Sequence, residues 1–105
     1  MVSPAKDTTL LAKRLKTARE RINISQMELG VRAGIDEYSA SARINQYERG
    51  KHAPDFNTAK TLAKVLDIPT AYLYCEDDAL AELIATFGQL TSSQKKAVLQ
   101  FAKSL

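Results

Sequence analysis

Tryptophan is absent, cysteine and histidine occur once each, and three prolines and four glycines are spread over 105 residues. One cysteine excludes an internal disulfide, and Cys75 with His52 cannot supply the Cys/His set of a structural metal site, so no cofactor is implied. No apolar run approaches the roughly 18 residues of a membrane span. Met1 to Asp7 lacks the apolar core of a signal peptide. The expected setting is therefore a reducing cytoplasm, with no membrane partner. Also missing are a Ser/His/Asp or Cys/His constellation, a phosphate-cradling glycine loop and a His-Glu-x-x-His helix, so the chain reads as a non-enzyme. This length accommodates one domain with its own core but no second catalytic or effector-binding domain of ordinary size. No small-molecule effector is indicated, and regulation is expected to act through this domain or its short tail.

What is present is a modest and uneven positive charge. The net charge is +3, yet residues 1–75 carry 12 Lys/Arg against 8 Asp/Glu, whereas residues 76–105 carry 3 against 4. The basic excess lies in the first segment and suits a polyanionic partner there.

No segment alternates with period two over strand length, so the expected class is all-α. Residues 1–7 read as a loose arm. Thr8 or Thr9 can cap a first helix whose Leu11, Leu15, Ala18 and Ile22 form one apolar stripe. Ser25 followed by Glu28 is a capping-box signature that opens a short second helix, Gln26 to Ala33, with Gly34 as its stop. Gly30 in mid-helix costs about 1 kcal/mol relative to alanine, so it implies that another helix crosses closely there. A third helix is predicted over Ser41 to Arg49, capped by Ser39 or Ser41, with Ile44 and Tyr47 inward and Gly50 as the stop. A fourth runs from an Asp55 cap to about Leu66 and buries Phe56, Ala59, Leu62, Ala63 and Leu66, while Pro69 opens a short fifth with Tyr72 and Leu73. The tail then changes character. Leu80, Leu83, Ile84 and Phe87 make a narrow apolar seam on a helix from Asp77 to Gly88, and a Thr91/Gln94 capping box starts a last helix with Val98, Leu99, Ala102 and Leu105 on one face. The hairpin is expected either to pack on the core or to meet its copy in a second subunit.

The organisation is thus a five-helix unit over residues 8–75 and a C-terminal helical hairpin over residues 76–105, the latter a dimerisation element. From Leu10 to Tyr74 the chain resembles the Cro and lambda-repressor-like helix-turn-helix family, known among bacterial and phage regulators. The resemblance is carried by Arg19, Ser25-Gln26-x-Glu28-Leu29, Ala33-Gly34-Ile35, Tyr47-Glu48-Arg49-Gly50-Lys51, Pro54, Leu62-Ala63-x-x-Leu66 and Tyr72-Leu73. It implies a DNA-binding fold, a homodimer, and a third helix lying in the major groove of double-stranded DNA. Carried over by position, Ser41, Ala42, Arg43, Asn45 and Gln46 become candidates for base readout. Their chemistry agrees: Arg pairs with guanine, Asn or Gln with adenine, and Ala touches a thymine methyl. Gln26, Arg49, Lys51 and His52 become candidates for phosphate contact. Arg19 and Glu48 match a pair that ties the first helix to the end of the third.

One departure bears on the register. Gly34 and Glu48 are 14 positions apart, about four more than in a compact member of the family, which is roughly one helical turn. Either the turn between helices is longer, or the third helix gains a turn that brings Glu37, Tyr38 and Ser39 toward DNA. The function expected from these marks is a sequence-specific, dimeric transcriptional repressor of a pseudo-palindromic operator, cytoplasmic and nucleoid-associated. An antitoxin that binds a toxin as well as DNA, and an adaptor that has lost specific DNA binding, are the alternatives.

Overall fold

The computed structural model describes residues 4–105, with side chains from Leu10 onward. The chain runs α1 (Pro4–Arg21), α2 (Gln26–Arg32), α3 (Glu37–Glu48), α4 (Phe56–Val65), a 3-10 helix (Thr70–Tyr74), α5 (Asp78–Gly88) and α6 (Ser92–Ser104). The all-helical expectation holds for the described residues. Helix α1 begins at Pro4, so the backbone at residues 4–7 is helical rather than an arm, and Thr8 and Thr9 lie inside the helix instead of capping it. Met1 to Ser3 lie outside the described residues.

The core gathers around Leu15, Leu29, Ile44, Leu62, Leu66 and Leu73, all fully buried. Leu11 and Ala18 join them from the predicted stripe of α1, but Ile22 is exposed. The helix ends at Arg21, and Asn23 turns the chain in the left-handed region at φ 56°, so Ile24 packs on the core in place of Ile22. Phe56 also departs from expectation. As the first residue of α4 it lies 60% exposed, with its ring stacked on Tyr74 at a centroid distance of 6.4 Å.

Local chemistry explains most boundaries. Ser25 Oγ accepts from the Glu28 amide at 3.0 Å, which starts α2. The Glu28 carboxylate accepts from Arg32 Nε at 2.7 Å, one turn along the helix. After α2, Gly34 takes φ +90°, a conformation in which a Cβ would be strained. Asp55 Oδ1 accepts from the Thr58 amide at 2.8 Å and opens α4. Thr91 and Gln94 form both bonds of the predicted capping box. Asp67, at φ 57°, closes α4 where glycine would be easier.

Helix α3 is longer than predicted. Asp36, not Ser39 or Ser41, is its cap and accepts from the Tyr38 amide at 3.1 Å, so helix begins at Glu37. The extra residues form a helical turn at the N-terminus of α3. Of the two alternatives for the longer spacing, the chain takes the added helical turn; the periodic pattern did not mark it because Ser39, Ala40 and Ser41 carry no large apolar side chain. Ala40 nonetheless has to be helical, for it packs against Gly30. A Cβ on Gly30 would stand 2.7 Å from the Ala40 Cβ, closer than atoms can come. The predicted close crossing of α2 is this contact with α3.

Helix α5 docks on the same core through buried Ala81 and Ala85, with Ile84 half-buried beside them. Its approach is fastened by a residue absent from the predicted core. Arg14, 6% exposed, donates from Nε and Nη2 to the Cys75 carbonyl at 3.0 and 2.8 Å and from Nη2 to the Glu76 carbonyl at 3.2 Å, and it pairs with Asp78 at 3.0 Å. Arg14 and Arg21 both lie over the Tyr72 ring, and Arg21 reaches Glu82 at 3.4 Å. Beyond α5 the situation reverses, for α6 has no buried residue.

Candidate nucleic-acid interface

Helix α3 is two-faced because Ala40, Ile44 and Tyr47, at i, i+4 and i+7, are buried. At 100° per residue the face opposite this stripe carries Tyr38, Ala42, Asn45, Gln46 and Arg49, with Ser41 on its flank and Arg43 nearer the edge of the buried stripe. Ser41, Ala42, Arg43, Gln46 and Arg49 are exposed and Asn45 is half-buried. Tyr38 is 95% exposed. Gly50, at φ 73°, then turns the chain, and the Lys51 and His52 amides donate back to the Gln46 carbonyl at 3.0 and 3.4 Å. The exposed Lys51 and His52 side chains are thereby held at the C-terminal end of this helix.

The polar face is anchored from behind. Arg19 Nε donates to Glu48 Oε2 at 2.6 Å and Nη2 to Glu48 Oε1 at 3.0 Å, while Nη1 donates to the Ile24 carbonyl at 2.9 Å. This bidentate pair is nearly dry, its side chains 13% and 2% exposed. The Glu48 hydrogen bond pushes the Arg19 guanidinium above its already high ordinary pKa, against the opposing effect of burial. Gln26, half-buried in the first turn of α2, donates from Nε2 to Asn45 Oδ1 at 3.3 Å and to Glu48 Oε1 at 3.1 Å. One carboxylate therefore organises three helices, and Asn45 is held with its carboxamide nitrogen left free to donate.

All nine candidate residues of the sequence reading thus fall on α3, on the loop after it, or on the first turn of α2. Tyr38 is the outward residue that a helix starting at Ser41 leaves out. The signal that locates it is Asp36, a capping residue two places after Gly34.

Residues 15–73 match the Helix-turn-helix family. The chain belongs to that family. An uncharacterized HTH-type transcriptional regulator, y4dL, of Sinorhizobium fredii (strain NBRC 101917 / NGR234) is 30% identical over 96 residues, covering 87% of this chain and 47% of the relative. The chain spans about half of that relative's length. The crystal structure of transcriptional regulator BswR is similar with a TM-score of 0.84 and 51% identity, over 90% of this chain and 93% of that one. Both of these proteins bear the name of transcriptional regulator.

Proposed function

We infer that this helix-turn-helix regulator is a sequence-specific, dimeric repressor of a pseudo-palindromic operator. The observation that carries the reading is the solvent-facing side of α3, polar and cationic while its other side is core, and braced through Glu48 by α1 and α2. Arg43, Asn45 and Gln46 have the donors and acceptors for base edges, and Ser41 and Ala42 flank them. Gln26, Arg49, Lys51 and His52 suit phosphates on either side. A protein covering two successive major-groove faces would obstruct promoter DNA. That makes repression the natural mode.

Residues 8–75 would form the reading unit and residues 76–105 the dimerising extension, with α5 seated on the former through Ala81 and Ala85. The occupant proposed for the free face of the extension is a second copy of the chain. Leu83, Ile84 and Phe87 of α5 and Val98, Leu99 and Ala102 of α6, with Pro69, line a wholly apolar groove of about 330 Å³. Leu80, Phe101 and Leu105 are exposed beside it. A helix of 13 residues is marginal in water on its own, and an isologous contact would bury its apolar face twice over.

Selection of sites from random duplex DNA followed by footprinting tests the reading. Arg43→Ala should cost about 1 to 3 kcal/mol on the best site and relax preference at one position, whereas Lys51→Ala should weaken all sequences alike. Equal binding by both variants and the wild type would show that α3 is not the reading helix.

A further inference from the structure

We propose that Tyr38 reads a thymine at the N-terminal end of the recognition helix, forming with Ala42 a short apolar strip ahead of the polar readers. The inference rests on the DNA-reading role of α3 given above. Its observations are separate: Asp36 starts the helix one turn early, and that turn puts Tyr38 on the outward stripe one helical turn before Ala42. At 95% exposure Tyr38 is barer than any other large apolar or aromatic side chain among the described residues, and it packs on no part of the core. Its neighbour Glu37 points elsewhere, near the edge of the buried stripe, by the same 100° spacing.

The outward ridge accordingly changes chemistry along its length: tyrosine and alanine first, then Asn45 and Gln46, then Arg49. In the major groove, donors and acceptors suit the polar middle and phosphates suit the arginine. The one apolar feature that base edges present there is the C5-methyl of thymine. An aromatic ring and an alanine methyl about 6 Å apart along the axis therefore match thymines within about two base pairs of each other. The Tyr38 phenol reaches past the methyl toward the sugar-phosphate edge, where it can donate to a phosphate oxygen.

The test uses the full chain and the best site from random selection, with each thymine replaced in turn by deoxyuridine, which lacks only the methyl. At one position per half-site beyond the Ala42 contact, deoxyuridine should weaken the wild type about fourfold, the effect of one methyl leaving an apolar contact. Tyr38→Ala should lose a similar amount on the thymine site and show no further loss with deoxyuridine there. Tyr38→Phe should keep the discrimination between thymine and deoxyuridine. Because Tyr38 is bare, both variants should melt as the wild type does, which the thermal profile checks. Wild type and Tyr38→Ala losing affinity in parallel at every replaced thymine would overturn the assignment of Tyr38 while leaving the role of α3 intact. Failure of the wild-type chain to select any sequence would remove the reading role of α3 and this inference with it.

Discussion

Glu48 is the residue on which the interface depends, since its two oxygens hold Arg19 from α1 and Gln26 from α2 while it ends α3. A dry carboxylate left without its guanidinium keeps the full cost of desolvation, so Arg19→Ala should lose about 3 to 5 kcal/mol of stability. Glu48→Gln should also be damaging, because a neutral amide cannot accept both guanidinium bonds equally. Urea unfolding of the two variants measures this, and changes of a few tenths would show that the brace is not structural. Asp55 offers a different residue-scale test. The Thr58 backbone amide, and after it the Thr58 side chain, lower the Asp55 carboxyl pKa from its ordinary value. A depressed carboxylate stabilises the fold above its unfolded pKa and loses that contribution as pH falls through the folded value. Acid titration of thermal stability should therefore show a shallower decline for Asp55→Asn than for the wild type, and identical slopes would deny the capping bond a role.

At the scale of elements, the α2 and α3 pair is set by a glycine against an alanine. Gly30→Ala removes the roughly 1 kcal/mol penalty of a mid-helix glycine, but it drives a methyl to 2.7 Å from Ala40. Overpacking of this kind costs about 1 to 3 kcal/mol, so the single substitution should destabilise. It should also shift α3 and weaken DNA binding more than stability alone explains. Gly30→Ala combined with Ala40→Gly restores the space and should recover most of the affinity, a non-additive outcome that a double-mutant cycle would expose. Additive losses would mean that the close approach is incidental.

For the whole molecule, the decisive asymmetry is between α5 and α6. Arg14 holds the Cys75 and Glu76 carbonyls, and Ala81 and Ala85 fill the core, so a chain cut at Cys75 would lose part of its core along with its tail. A cut after Leu90 spares α5 and removes only α6, which has no buried residue. The shortened chain should stay folded and become monomeric by light scattering, and it should lose affinity for the paired site because linked half-sites bind with avidity. Leu99→Asp in the full chain should do the same. A dimer that persists in both would place the interface on the reading unit instead.

The order and type of elements were legible from residues alone because they depend on neighbours in sequence. Ser25, Asp55 and Thr91 cap by reaching amides three places on. Gly34 and Gly50 stop helices through their own backbone freedom, and the spacing of Leu11, Leu15 and Ala18, or of Ile44 and Tyr47, marks a buried side before any partner is known. The family marks on the same residues were equally visible, as was the Arg19 and Glu48 pair. What only the tertiary structure decided are matters settled by distant contacts. Helix α3 starts at Glu37 in a turn whose Ala40 packs on Gly30, and Tyr38 becomes outward as a result. Phe56 meets Tyr74 rather than the core, and Ile22 yields to Ile24 once α1 ends. Arg14 is buried because carbonyls 61 and 62 residues away come within hydrogen-bond reach of its guanidinium. The apolar seam read on α5 leaves Leu80 and Leu83 exposed, and it is Ala81 and Ala85 beside that seam that meet the core, since periodicity records that a face is apolar and only packing determines what covers it.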